Sequence, residues 1–266
     1  MLECVVNVSE GRRAPTVAAI AAAAGTCLLD VHSDAHHHRS VLTLAGGHDL
    51  EDAVRAVAAE AVRRIDLRGH AGVHPRLGAV DVVPFVPLLD APLADAVAAR
   101  DRFAAWAAHE LALPCFLYGP ERSLPDVRRL AFAGIEPDAG PPVPHPTAGA
   151  VCVGARPVLV AYNIWLRPGV DVSRARAVAA AVRGRAVRAL GLDVGGNAQV
   201  SMNLLDPVAF GPDRAYDEVA ARAPVARAEL VGLVPAAVLD AVPERRWVEL
   251  DLDPSRTIEA RLGTAA

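Results

Sequence analysis

The run Ala79-Val80-Asp81-Val82-Val83-Pro84-Phe85-Val86, a stretch of helical period from Leu93 to Leu111, and a second apolar run, Pro114-Cys115-Phe116-Leu117-Tyr118, decide the fold class. Strand-length apolar runs that alternate with longer helical segments define an α/β or α+β protein. Toward the N-terminus the alternation continues. Leu2 to Val8, Cys27 to Val31 and Ser40 to Ala45 read as strands. Ala14 to Ala24, stopped by Gly25, and Asp49 to Arg64, opened by acidic side chains, read as helices. Toward the C-terminus, Pro120, Pro125, Pro137, Pro141, Pro142, Pro144 and Pro146 break regular structure from Gly119 to Gly149, apart from a short helix at Leu124 to Ala133. That stretch reads as a connector between an N-terminal half, 1–149, and a C-terminal half, 150–266. The second half reads as a strand at Ala150 to Leu166, a long helix at Ser173 to Leu190, a strand at Ala198 to Leu205, a helix at Asp213 to Ala221, and a last strand and helix around Leu230 to Val242. No tandem repeat of fixed period is visible.

With 266 residues, 53% of them hydrophobic, the chain is long enough to bury a core without staples. A net charge of −4 argues against nucleic acid as a partner, because phosphate neutralisation needs a basic face. Cys4, Cys27, Cys115 and Cys152 lie far apart with no C-x-x-C pair, so a reducing, cytoplasmic setting is expected rather than a zinc cluster or disulfide framework. No uncharged run approaches the ~20 residues of a membrane helix, so no membrane partner is expected. Lysine is absent, and all 27 basic residues are arginines. This excludes a Walker phosphate loop, pyridoxal Schiff-base chemistry and kinase-type phosphate pairing. An anionic substrate must be held by arginine, histidine, backbone amides or helix N-termini.

Reactive side chains are densest in Asp66-Leu67-Arg68-Gly69-His70-Ala71-Gly72-Val73-His74-Pro75-Arg76-Leu77-Gly78-Ala79-Val80-Asp81. Two imidazoles in a glycine-rich loop ahead of a strand suit proton exchange near neutral pH. Read blandly, His70 and His74 cap a turn and Arg76 pairs with Asp81. His32-Ser33-Asp34-Ala35-His36-His37-His38-Arg39 offers four imidazoles, either as a metal site or as a solvated or substrate-facing loop. Adjacent histidines cannot all reach one ion, so no metal is expected. Pro137 to Gly149 is either a rigid binding loop or a linker. Gln199, Ser201 and Asn203 alternate along a strand and share one face, toward solvent or a cleft.

Taken in order, these stretches resemble the formiminotransferase domain of the formiminotransferase-cyclodeaminase family. Glu3-Cys4-Val5-Val6-Asn7-Val8-Ser9-Glu10-Gly11 is similar to its opening, and His70 to Asp81 with Val82-Val83-Pro84-Phe85-Val86-Pro87 to its H-x-G-x-H-P-R-x-G-A-x-D signature. Gly154-Ala155-Arg156, Leu159 to Asn163, Gln199 to Leu204 and Leu230 to Pro235 match later segments. The resemblance implies an α+β protein of two α/β subdomains of ferredoxin-like character, mixed sheets facing each other, helices outside and substrates in the cleft. It implies transfer of a formimino group from formiminoglutamate to tetrahydrofolate as co-substrate, in a homodimer, with His74 as acid/base. It carries the folate loop onto Gly140 through Gly149, at Gly140, Pro141, Pro146, Thr147 and Gly149, and marks Asn7, His70, Gln199 and Asn203 as substrate-contacting. Arg39 and Arg76 are expected to hold substrate carboxylates. The cyclodeaminase portion is not expected in this chain. Val6, Val73, His32 and His38 depart from the family pattern. They leave open an altered one-carbon donor or acceptor, or a folate- or metabolite-binding protein without catalysis.

Overall fold

In the computed structural model, which describes residues 1–263, alternation along Leu2–Val8 (β1) turns Cys4, Val6 and Val8 into a core and Glu3, Val5 and Asn7 to the opposite face. The chain divides into two units, Met1–Pro157 and a second beginning at Val158. In the first, β1 is followed by α1 (Ala14–Ala22), β2 (Leu28–Asp34), β3 (Arg39–Gly46), α2 (Leu50–Arg64) and β4 (Val80–Pro87), then by α3 (Leu93–Glu110), β5 (Cys115–Tyr118), α4 (Leu124–Leu130) and β6 (Val151–Ala155). The sheet order is β2-β3-β1-β4-β6-β5. Neighbours are antiparallel up to β4, and β6 lies parallel to both β4 and β5.

Helix α2 carries Glu51 and Asp52 in its first turn and Arg63 and Arg64 in its last, complementing the helix dipole. Its buried stripe of Leu50, Val54, Val57, Ala58 and Ala61 covers one sheet face, as does α3, whose Phe103 ring lies 6.1 Å from that of Phe85. On the other face α4 contributes Val127 to a smaller cluster with Val82, Phe116, Tyr118 and Cys152. Strand β4 is therefore buried on both sides.

A register shift decides where the site forms. Asn7 pairs with Val82 and Val8 with Val80, so Asp81 is the additional residue of a β-bulge. The pairings Val8 with Ser40 and Val80, Asp34 with Arg39, and Cys115 with Val151 align the C-terminal ends of β1 and β2 with the N-terminal ends of β3, β4, β5 and β6. The loops around residues 9–13, 35–38, 66–79 and 138–150 consequently meet at one end of the sheet.

The second unit contains β7 (Val160–Leu166), α5 (Val172–Val182), β8 (Val187–Val194), β9 (Asn197–Leu204), α6 (Pro212–Ala220), β10 (Val225–Val231), α7 (Ala236–Asp240) and α8 (Ile258–Arg261). Its sheet, β10-β7-β9-β8, is antiparallel throughout rather than mixed. Both units thus contain the same β-α-β-β-α-β core with the same strand order, the expected ferredoxin-like character. The duplication lies in topology and not in a sequence period.

Three expectations are corrected. Ala150 to Leu166 is two strands in two sheets, so the junction falls after Pro157 and the proline-rich stretch lies inside the first unit. The reason is the parallel insertion of β6 between β4 and β5. The long helix ends at Val182, and Val187–Val194 forms a hairpin with β9 through Gly195 and Gly196, both at positive φ. His32 stands in β2 rather than in a loop, paired with Val41.

Candidate functional site

Asp81 is fully buried, and burial alone would raise its carboxyl pKa. The guanidiniums of Arg39 and Arg128 outweigh that and hold it well below the usual carboxylate range. Its Oδ2 accepts from Arg39 Nη1 and from Arg128 Nη2, the latter at 2.6 Å, and its Oδ1 accepts from the Leu77 amide at 2.7 Å. Arg39 Nε also donates to Asn7 Oδ1 at 3.1 Å. The Arg76–Asp81 pair of the bland reading does not form; Asp81 pairs with Arg39 and Arg128 instead. Three residues from β1, β3 and β4 and one from α4 are thereby tied under the His70–Asp81 loop.

Half-buried His74 sits above this group. Its Nδ1 lies 2.7 Å from the carbonyl oxygen of Pro75, and Arg128 Nη1 donates to that same oxygen at 3.0 Å. A carbonyl only accepts, so Nδ1 carries the proton and Nε2 is the basic nitrogen. Desolvation lowers the His74 pKa well below the ordinary imidazole value. Arg39 and Arg128 push the same way, while Asp81 and the Pro75 carbonyl oppose them. These effects favour the neutral form of the His74 imidazole.

Arg76 is a strut. Its Nη2 donates to the carbonyls of His74 at 2.8 Å and His37 at 3.2 Å, and its Nη1 to that of His38 at 3.3 Å. Nη1 also lies 2.8 Å from Nδ1 and 2.9 Å from Nε2 of His70, whose Nε2 donates to Ser9 O at 2.8 Å. The His70 pKa is lowered first by burial and then by Arg76. The His38 ring packs on it at 3.9 Å, and His38 Nδ1 accepts from the Gly11 amide at 3.3 Å. Gly72 has no room for a side chain, since a Cβ there would stand 2.6 Å from His37 O and 2.8 Å from His38 Cβ. The His37 ring lies 5.9 Å from that of His74. Among the described residues no three His, Cys, Asp or Glu side chains form a metal-holding group.

The Gly149 end of the proline-rich loop joins this cluster. Gly149 bridges Gly78, Leu67 N donates to Thr147 O at 2.8 Å, and Ala79 N to Ala148 O at 2.8 Å. His145 caps the turn, accepting from Ala148 N at 3.0 Å, and Pro146 is exposed. Gly140 and Pro141 lie at the other end of the loop, with Gly140 against the Leu113 carbonyl. Gln199 and Asn203 belong to the second unit. They stand on the β9 face opposite Val200 and Met202, beside Asn163 and Trp165, which both donate to Glu229. Gln199 is fully buried and Asn203 half-buried.

Sequence reasoning missed Arg128, which lay in a stretch read as a connector 47 residues from its partner Asp81. It also assigned no role to Glu10. That buried carboxylate accepts from the Arg12 and Arg13 amides at 2.8 and 2.9 Å, and lies 3.6 Å from His38 Nδ1. The acid in Ser9-Glu10-Gly11-Arg12-Arg13, just ahead of a helix, was the available signal.

An oriented imidazole over a net-positive buried charge group can exchange protons beside an anionic small molecule. Comparison with known proteins narrows the class. Residues 1–156 match the model of the formiminotransferase domain, N-terminal subdomain. The chain is 35% identical over 290 residues to a glutamate formimidoyltransferase of Streptococcus pyogenes serotype M1, with 97% of each chain covered. It is 33% identical over 301 residues to a glutamate formimidoyltransferase of Thermoplasma acidophilum, covering 100% of this chain and 98% of the relative. It is 35% identical over 278 residues to the formimidoyltransferase-cyclodeaminase of Sus scrofa, where 91% of this chain spans about half, 51%, of the relative. The chain belongs to the formiminotransferase family.

Proposed function

We propose that this protein transfers a formimino group from formiminoglutamate to tetrahydrofolate and releases glutamate, with His74 as the proton carrier. The observation that carries the reading is the 2.7 Å contact between His74 Nδ1 and the Pro75 carbonyl oxygen. With Nδ1–H bound to the Pro75 carbonyl, Nε2 is placed to take a proton and give it back. A tetrahydrofolate nitrogen attacks the formimino carbon and gives its proton to Nε2. The bond from that carbon to the glutamate nitrogen then breaks, and Nε2 returns the proton to the departing nitrogen. No net charge or proton is left over. Full-length similarity to glutamate formimidoyltransferases supports the donor and acceptor.

Arg76 is committed to loop carbonyls, so attraction for the substrate carboxylates falls to Arg39 and Arg128, which together exceed the charge of Asp81 by one. Asn7 and His70 shape the same end of the sheet, and the loop from Gly140 to Gly149 supplies the folate contact. Residues 158–263, with Gln199 and Asn203, act as the second subdomain of the transferase. The four free cysteines fit a reducing cytoplasm, and the assembly we propose, from the family resemblance alone, is a homodimer.

The test is turnover of formiminoglutamate with tetrahydrofolate by wild type and His74→Ala. Loss of transfer in a folded His74→Ala protein is expected, and an active variant refutes the mechanism. Folded wild type that rejects formiminoglutamate but uses another formimino or formyl donor points to the altered donor that Val73, His32 and His38 left open. Tight folate binding with no transfer to any acceptor points to a non-catalytic binder.

A further inference from the structure

Resting on the reading of His74 as the proton carrier, we propose that Arg128 is a positioning residue that fixes the working tautomer of His74 through the Pro75 carbonyl. Arg128 comes from α4, on the sheet face opposite α2 and α3, and its side chain is 18% exposed. One guanidinium nitrogen donates to Asp81 Oδ2 and the other to Pro75 O, so the charge pair with a fully buried carboxylate anchors the donor to a loop carbonyl. That carbonyl accepts from His74 Nδ1 as well. Two donors on one oxygen fix the peptide plane, and a fixed plane leaves the imidazole one proton position. The second oxygen of Asp81 holds the Leu77 amide, so both ends of the His74-Pro75-Arg76 turn are referred to the same carboxylate.

The charged and titratable groups facing His74 are Arg39 on β3, Asp81 on β4, Arg128 on α4 and the His37 ring in the 35–38 turn. Two cations against one buried anion disfavour an imidazolium there, so Arg128 contributes both the orientation and the neutrality of the base. Arg76 holds the carbonyls of His37, His38 and His74, whereas Arg128 holds the one carbonyl that His74 Nδ1 binds.

The test is long-range ¹H–¹⁵N NMR of the His74 ring together with steady-state pH profiles, for wild type, Arg128→Met and Arg128→Lys. In wild type at neutral pH, Nδ1 is protonated and Nε2 is not. In Arg128→Met the ring becomes a tautomer mixture and its titration moves up toward the free imidazole value. In that variant kcat falls about tenfold or more, within the roughly 10²–10⁴-fold that a general base supplies, and KM for formiminoglutamate rises because the group loses its one excess positive charge. Arg128→Lys, which keeps the cation, recovers part of kcat and of the titration. A wild-type Nε2–H tautomer overturns the proposal even if no variant folds. So does a folded Arg128→Met with unchanged tautomer and acid limb. Wild type that shows the Nδ1–H ring and transfers no formimino group sinks the proposed function and supports the positioning, so the two failures read differently.

Discussion

Asp81→Asn removes one charge from the centre of the site and replaces the oxygen that accepts from two guanidiniums with an amide donor. Asp81 is fully buried, and the side chains of its partners Arg39 and Arg128 are only 11% and 18% exposed, so water replaces little of what is lost. Removing one member of a buried charge group costs about 3–5 kcal/mol, mostly because the remaining charges stay buried without a counterion. Asparagine keeps the shape and one acceptor oxygen for the Leu77 amide, but its amide nitrogen cannot accept from Arg39 or Arg128, so this variant should lose at least about 3 kcal/mol. That is roughly a hundredfold in the folding equilibrium. The pH dependence follows from the direction of the Asp81 shift. Its folded-state value lies below the roughly 3.9 of an unfolded aspartate, so the stabilisation is fully present above about pH 5 and is lost as the pH falls below about 4. Wild type and Asp81→Asn should therefore differ most at neutral pH and converge on acidification. Urea unfolding followed by circular dichroism, from pH 7 down to the acid limit of folding, measures the gap. A cost below about 1 kcal/mol at pH 7, or a gap that does not narrow in acid, refutes the assignment of this group as a buried charge bridge.

Because burial and two arginines lower the His74 pKa, turnover should lose activity with acid only below about pH 6.5, the free imidazole value, as the base becomes protonated. An acid limb at or above that value in a pH–rate profile contradicts a neutral His74 base. Gly149 has φ +71° and a Cβ there would stand 2.2 Å from the Leu77 carbonyl. Gly149→Ala should cost about 1–3 kcal/mol of stability and raise KM for the folate; an unchanged thermal midpoint and KM would show that the loop adapts. Tyr162 Oη donates to the Leu250 carbonyl at 2.7 Å inside the second core, so Tyr162→Phe should cost about 1–3 kcal/mol by leaving that acceptor unsatisfied. Denaturant titration checks it, and a neutral result argues that the carbonyl finds another donor.

Much of this was legible in advance. The strands Leu2–Val8, Arg39–Gly46, Val80–Pro87 and Cys115–Tyr118 all stand within two residues of their expected ends, because each is an apolar run bounded by turn residues. Ala150 to Leu166 is equally apolar on both sides of Arg156-Pro157, so composition could not show that its halves pair in different sheets. The first half of strand β8, Val187 to Leu190, was absorbed into the preceding helix because Val187 and Leu190 also satisfy helical spacing. Its pairing with β9 is a long-range contact that local pattern does not encode.

By itself the sequence determined which chemical groups are present: a lysine-free chain, the His70–Arg76 loop, the proline-rich loop and the apolar runs that must be buried. Those follow from side-chain type and spacing along one dimension. Tertiary structure alone decided their pairing. Arg76 became a strut and Asp81 turned inward at a bulge to Arg39 and Arg128. Glu10 went to the start of α1, and the Pro75 carbonyl came between Arg128 and His74. The physical reason is that a charge's role depends on which opposite charge and which dipoles share its desolvated surroundings. Residues 42 and 47 positions apart become neighbours of Asp81 only when a register shift and a helix on the far sheet face bring them there.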